Sequence, residues 1–164
     1  MPDIFTKSKR SAVMAAIRSQ GNKGTELRLL RIFRAHGVTG WRRGRSLALN
    51  PRGVRFKVQG VGSKIQSLSA RSTGRVKPDF VFRAARMAVF VDGCFWHGCP
   101  KHATWPKTRA AFWRAKILRN RERDRQVDRR LRQLGWRVVR VWEHSLRRCD
   151  EAKLVRRLHR SVGV

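Results

Sequence analysis

Two short apolar runs, Asp79-Phe80-Val81-Phe82 and Met87 to Val91, stand on either side of Arg83-Ala84-Ala85-Arg86. Four residues between two such runs predict a β-hairpin, and everything else in the chain has to pack around it. Downstream, Thr108 to Leu134 reads as a long charged helix, with Phe112, Ala115, Ile117, Val127, Leu131 and Leu134 as its expected buried positions. Gly135 ends that helix, and Trp136 to Trp142 predicts a third strand. Asp150 is expected to cap a last helix bearing Leu154, Val155 and Leu158. Strands before and after a long helix predict a mixed sheet flanked by helices, of α/β or α+β class.

The first half of the chain is less periodic. Ser8 to Gln20 predicts a short amphipathic helix, with Ala12, Met14, Ala15 and Ile17 among basic residues. Thr25 is the expected N-cap of a second helix carrying Leu27, Leu29, Leu30, Ile32 and Phe33 and ending near Gly37. From Trp41 to Val76 the chain is rich in Gly, Ser and Arg. It reads as a long basic loop, with a strand at Val54 to Val58. A loop this long in a compact domain is as a rule either functional or disordered. The length of 164 residues suits one domain, 1–164, with 1–24 as its N-terminal region and 41–74 as a basic insertion.

Charge then narrows the partner. Forty Lys and Arg against ten Asp and Glu give a formal +30, a field that draws the protein to a polyanion and makes binding fall with salt. Nucleic acid is the expected partner. An acidic membrane fits less well, because no basic stretch has a clean apolar face, and no run is long enough to span a bilayer. Three cysteines without a hydrophobic leader point to a cytoplasmic thiol or metal role rather than a disulfide framework.

The densest chemical motif is Cys94-Phe-Trp-His97-Gly-Cys99-Pro-Lys-His102. Two thiolates and an imidazole at this spacing suit zinc, which favours four such ligands in a closed tetrahedron. A fourth ligand is available from His144, after Trp142-Glu143, with Cys149 as a rival. His97 is in turn a rival for one of the first three places.

In a protein built to meet phosphates, the few acids carry information, and none lies between Glu26 and Asp79. Asp79 opens one strand of the hairpin and Asp92 closes the other, so the fold brings the two ends together. Two carboxylates at a strand edge beside a backbone carbonyl suit magnesium, which can polarise a phosphate and activate water. The usual nuclease pattern places a Lys two residues after the second acid. Cys94 stands there, so His97 is the nearest group to handle a proton. Phe95, Trp96 and Trp113 lie close to this segment. Large aromatics on a basic loop can wedge between base pairs, although each taken singly is more often core.

At these residues the sequence resembles the very-short-patch-repair mismatch endonucleases, the Vsr family. The resemblance runs from Lys7 to Met14 and on through Glu26, then through Lys77-Pro-Asp-Phe80 and Phe90-Val-Asp-Gly-Cys-Phe-Trp-His97. It continues in Pro106-Lys-Thr-Arg109, Phe112-Trp113, Asn120-Arg-Glu-Arg-Asp124, Leu134-Gly-Trp-Arg-Val138 and Val141-Trp-Glu143. It implies a restriction-endonuclease-like fold and magnesium-dependent nicking of duplex DNA 5′ of the thymine in a T:G mismatch, the product of deaminated 5-methylcytosine. By matching position, Asp79 resembles the magnesium ligand, assisted by the backbone carbonyl of Val91. His97 resembles the catalytic histidine, with Asp124 to orient it, and Glu26 the acid from the N-terminal region. Phe95, Trp96 and Trp113 resemble the intercalating wedge, with Met14 entering from the minor groove. Cys94, Cys99 and His102 resemble zinc ligands.

The chain departs from the family pattern in three places. A histidine usually stands where this chain has Asp92, leaving open whether Asp92 binds magnesium or tunes His97. A cysteine usually follows the Trp-Glu pair, where this chain has His144. The connection from Trp41 to Gly74 is longer and more basic than usual. The resemblance also implies a monomer at the bacterial nucleoid, working alongside mismatch-repair proteins. Two rivals share much of this pattern: a nuclease of the same fold with another DNA specificity, and a zinc-containing nucleic-acid-binding protein without catalysis. The placement of the scarce acids at Glu26, Asp79, Asp92 and Asp124 argues against the second.

Overall fold

The computed structural model describes residue 22 and residues 24–50 and 74–162. The expected helix at Ser8 to Gln20, the strand at Val54 to Val58, and Met14 lie outside them. The described elements are, in order, α1 (Glu26–Ala35), β1 (Trp41–Arg43), β2 (Leu47–Ala48), β3 (Arg75–Val76), β4 (Phe80–Phe82), β5 (Met87–Asp92), α2 (Ala110–Gln133), β6 (Arg137–Trp142), a 3-10 turn (Glu143–Leu146) and α3 (Arg148–Val162). The main sheet runs β1-β4-β5-β6. β4 pairs antiparallel with both β1 and β5, while β5 and β6 are parallel, so the sheet is mixed and α2 is the crossover that parallel pairing requires.

The sheet alternates strictly, and both of its faces are covered. Phe80, Phe82, Met87, Val89 and Val141 face α1 and α3, where they meet Leu29, Ile32, Phe33, Leu154 and Leu158. Val81 and Ala88 face the other way, against Leu131 of α2, with Phe90, Val127 and Val138 beside them. Phe33 anchors the first face. Its ring centroid is 4.9 Å from Phe80, 5.7 Å from Phe82 and 6.1 Å from Trp41. Truncating a fully buried aromatic of this kind costs about 3–5 kcal/mol. His36, at the C-cap of α1, joins Glu151 of α3 in a 2.8 Å hydrogen bond.

Several sequence expectations need correction. The segment from Trp41 to Val76 is not one loop, because its ends form β1, β2 and β3. β2 pairs with β3, so the chain leaves and re-enters the described structure at neighbouring points. Short strands flanked by glycine and arginine show no usable alternation, and only their partners reveal them. Thr25 holds the N-cap position of α1 without a side-chain hydrogen bond. The preceding turn is secured by Asn22, whose Oδ1 accepts from the Gly24 N–H at 2.9 Å. Gly37, at φ 63°, takes the left-handed conformation that ends this helix.

α2 starts at Ala110 rather than Thr108, behind Arg109 at φ 55°. Its buried positions are Ile117 and Leu131. Ala115 is exposed, and so is Phe112. Asp150 does not cap α3. That helix begins at Arg148, and Asp150 sits in its first turn, where a negative charge suits the helix dipole. No described helix is long and apolar enough to cross a membrane.

Candidate active site

The chemistry gathers where β5 and β6 end and the chain turns into residues 93–102. That loop folds back on itself: the His97 N–H donates to the Gly93 carbonyl at 3.2 Å, and the Cys99 N–H to the Cys94 carbonyl at 2.9 Å. Gly98, at φ 61°, makes the turn possible. A Cβ there would lie 2.8 Å from Cγ2 of Ile117 on α2. Cys94 and Cys99 are thereby brought together, and His97 is directed toward α2.

Cys94, Cys99, His102 and His144 form one cluster, with their ligand atoms all within 4.8 Å of one another. Nδ1 of His144 lies 3.3 Å from Sγ of Cys94 and 3.6 Å from Sγ of Cys99, and Nδ1 of His102 lies 3.8 Å from Sγ of Cys99. Four donors so arranged could hold a metal ion. The geometry separates the candidates that the sequence left open. Cys149 is exposed on α3, within 3.6 Å of Asp150, and takes no part in this cluster. His97 belongs to a different group. Burial raises the Cys94 thiol above its ordinary range and lowers the His144 imidazole, which the charges of His102 and Lys101 lower further.

The second cluster is Asp92, His97 and Asp124. Nδ1 of His97 is 2.6 Å from Oδ2 of Asp124 and 3.6 Å from Oδ1 of Asp92. A carboxylate at Nδ1 fixes that nitrogen as the N–H and leaves Nε2 to exchange a proton. Asp79 stands beside the cluster and is held from behind, its Oδ2 accepting from the Val91 N–H at 2.7 Å. Burial raises its pKa to about 6; the Val91 hydrogen bond opposes that shift, and the nearby Glu26 and Asp92 carboxylates add to it. Glu26 is buried at the start of α1 and engages Arg43, whose Nε donates to Oε1 at 2.7 Å. The β1–β4 register sets Arg43 opposite Phe80, one residue from Asp79.

Sequence reasoning missed Arg140. It lies on β6 opposite Phe90, with its guanidinium carbon 4.9 Å from that ring's centroid. From there it donates to Asp92 at 2.7 Å, to Asp128 at 3.0 Å, and approaches Asp124 at 3.4 Å. Burial acts to lower its pKa, but these three carboxylates prevail and raise it. Asp92 is pushed up by burial, against the pull of Arg140 and His97. For Asp124, burial acts to raise the pKa, while the His97 hydrogen bond and the Arg140 charge outweigh it and hold the carboxyl low. A lone arginine inside Val138-Val139-Arg140-Val141-Trp142 was the available signal. Asn120 was also missed: its Nδ2 donates to the Trp96 carbonyl at 2.9 Å and ties the loop to α2.

Phe95, Trp96 and Trp113 belong to neither core cluster. They are half-buried and pack edge to face on one another, with centroids 5.1 to 6.0 Å apart. Phe112 continues the group at 5.3 Å from Trp113.

Comparison with known proteins bears on this arrangement. The family model "DNA mismatch endonuclease Vsr" matches residues 48–103. The DNA mismatch endonuclease Vsr of Escherichia coli K12 is 36% identical over 151 residues, covering 90% of this chain and 77% of that enzyme. The chain belongs to the Vsr family. Two further Vsr-like relatives are named type II nicking enzymes. V.NaeI of Lentzea aerocolonigenes is 52% identical over 85 residues, and V.NmeAIP of Neisseria meningitidis is 34% identical over 164 residues. The match to V.NaeI spans about half of that enzyme's length (51%), whereas the match to V.NmeAIP spans 95% of it. This Vsr-family chain is thus a member of a group of DNA endonucleases, which are hydrolases of the phosphodiester backbone.

Proposed function

We propose that the protein nicks one strand of duplex DNA 5′ of the thymine in a T:G mismatch, the lesion left by deamination of 5-methylcytosine. The observation that carries the reading is the His97–Asp124 pair at 2.6 Å, set beside a desolvated Asp79 in a chain of the Vsr family. A dyad of this kind manages a proton, and a carboxylate withdrawn from water suits a cation that meets phosphate. We read the mixed sheet with helices on both faces as a restriction-endonuclease-like fold, and 1–164 as one domain acting as a monomer.

Two metal ions fit the donor sets. A tetrahedron with Zn–S near 2.3 Å and Zn–N near 2.0 Å has S–N edges of roughly 3.5 Å. The separations of 3.3, 3.6 and 3.8 Å around Cys94, Cys99, His102 and His144 fit such a site. Zinc bound there would brace the loop that carries His97 and the aromatic group. For magnesium, hard oxygen donors are required, and Asp79 with the Val91 carbonyl would supply them. Magnesium when bound would neutralise charge on the scissile phosphate and ease deprotonation of the attacking water.

The chain's own residues divide the remaining work. Asp124 holds the His97 ring so that Nε2 faces the reacting phosphate and takes or returns a proton. Glu26, fixed by Arg43, adds negative charge next to Asp79 and keeps that end of α1 against the site. Phe95, Trp96 and Trp113 would enter the duplex from the major-groove side, where unstacking a wobble pair is cheapest, with Met14 opposite in the minor groove. The basic regions 1–24 and 41–74 would grip the backbone. Mismatch-repair proteins would act at the same lesion in the bacterial cytoplasm.

The test is a strand-specific nicking assay with magnesium, comparing a labelled T:G duplex with its T:A twin and using Asp79→Ala as control. A nick beside the mismatched thymine, absent from both controls, is the expected result. The relatives named type II nicking enzymes favour a second reading, in which the same chemistry serves another DNA specificity. Equal cutting of matched and mismatched duplexes would favour it.

A further inference from the structure

We infer that Arg140 is a positioning residue of the hydrolytic site: it clasps Asp92, Asp124 and Asp128, so that Asp124 is fixed on His97 and Asp92 is occupied by an internal cation instead of serving magnesium. The inference rests on the nuclease reading above and deepens it. It begins with strand alternation. Arg140 and Trp142 point to the same side of β6, and the parallel register sets them opposite Phe90 and Asp92 of β5. That side is covered by α2, where Asp124 and Asp128 are one helical turn apart and face the same way. A guanidinium on this strand reaches all three acids, with Nη1 2.7 Å from Asp92, Nη2 3.4 Å from Asp124 and Nε 3.0 Å from Asp128.

The fork is rigid and presents its donors in one plane, so the carboxylates that it binds are fixed relative to one another. Asp124 has one oxygen near Arg140 and the other on His97, so its orientation is determined at both ends. Asp92 uses the same oxygen, Oδ1, for Arg140 that lies nearest His97. It is buried to 4% exposure. A cation arriving there would have to displace a charged partner from a dry site, which is unfavourable. Asp79, by contrast, is engaged through a neutral N–H. The acid that closes β5 is thus matched by a basic residue on the neighbouring strand.

The decisive variant is Arg140→Lys, which keeps the charge and loses the fork. Its kcat should fall roughly 10- to 100-fold, the usual effect of removing a partner that orients a reacting group, with KM, DNA affinity and circular dichroism unchanged. In an Asp124→Asn background the same change should cost less than about twofold further, because its effect passes through Asp124. The downfield imidazole N–H resonance of His97 should shift in Arg140→Lys, a readout that needs no turnover. Calorimetric titration with magnesium chloride should give Asp92→Asn the wild-type affinity and Asp79→Asn none. Wild-type kcat in Arg140→Lys, full additivity with Asp124→Asn, or an unmoved His97 resonance would overturn the role of Arg140. Loss of magnesium affinity in Asp92→Asn would overturn the role given to Asp92. If Arg140→Lys fails to fold, the magnesium titration of Asp92→Asn still decides that part. If wild-type protein cuts no duplex, the nuclease reading fails, and the resonance and the titration still test the clasp.

Discussion

Nδ1 of His97 lies 2.6 Å from Oδ2 of Asp124, a contact between a loop after β5 and the middle of α2, 27 residues on. The carboxylate selects the ring tautomer, and an amide in its place offers either a donor or an acceptor. Asp124→Asn should lower single-turnover nicking by roughly 10²- to 10⁴-fold, the range of a general acid–base contribution. Binding to the same duplex should be unchanged. Wild-type turnover in the variant would remove the dyad from the mechanism.

Burial of Asp79 should cost the metal-free protein stability near neutral pH. The folded pKa of Asp79 is about 6 against an ordinary 3.8, raised chiefly by burial. Between those values the folded state keeps a proton that the unfolded state has lost. The contribution to stability is therefore full below about pH 4 and is lost as pH rises through 6. Asp79→Asn should stabilise the metal-free protein at pH 7.5 by up to about 3 kcal/mol and at pH 4 by almost nothing. It should also abolish nicking. Denaturant melts at the two pH values check this, and an equal difference at both would contradict it.

Cys99 is 2% exposed and contributes to a cluster of four donors. Cys99→Ser should lose one equivalent of bound zinc, lower the melting temperature and change the fluorescence of Trp142, whose ring stacks on that of His144 with centroids 6.3 Å apart. Cys149→Ser, outside the cluster, should retain the metal. Metal analysis by mass spectrometry separates the two, and equal zinc in both proteins would refute the four-donor assignment.

Gly98→Ala tests the loop without touching a ligand. The new Cβ would meet Cγ2 of Ile117 at 2.8 Å in a backbone conformation, φ 61°, that alanine disfavours. A loss of about 1–3 kcal/mol in thermal or denaturant unfolding is expected. A neutral effect would mean that the turn relaxes without resistance.

Phe95 and Trp96 meet at 5.1 Å on a surface that belongs to neither core cluster. Phe95→Ala should therefore spare the fold. It should narrow the difference in nicking rate between T:G and T:A duplexes while leaving the salt dependence of binding as it was. A large fall in melting temperature would return the residue to a structural role.

The sequence by itself determined the elements whose signals are local. The hairpin Phe80–Phe82 with Met87–Asp92 followed from two apolar runs and a four-residue gap, and α2 and β6 from a change of period across Gly135. The donor types at Cys94, Cys99, His102 and His144 were equally legible, because spacing and residue chemistry state them outright. Of the partnerships over distance, His144 with the cysteines and Asp124 with His97 were expected, and the others were not. β1 and β2 carry no alternation of their own, and only pairing with β4 and β3 makes them strands. Whether His97 or Cys149 belonged to the sulfur cluster depended on a left-handed turn at Gly98 and on α3 starting at Arg148. Arg140 acquires its place from parallel register, which sets it beside Asp92 while α2 brings Asp124 and Asp128 across the same face. A side chain's type is written in one residue, whereas its electrostatic partners are set by packing that joins segments tens of residues apart.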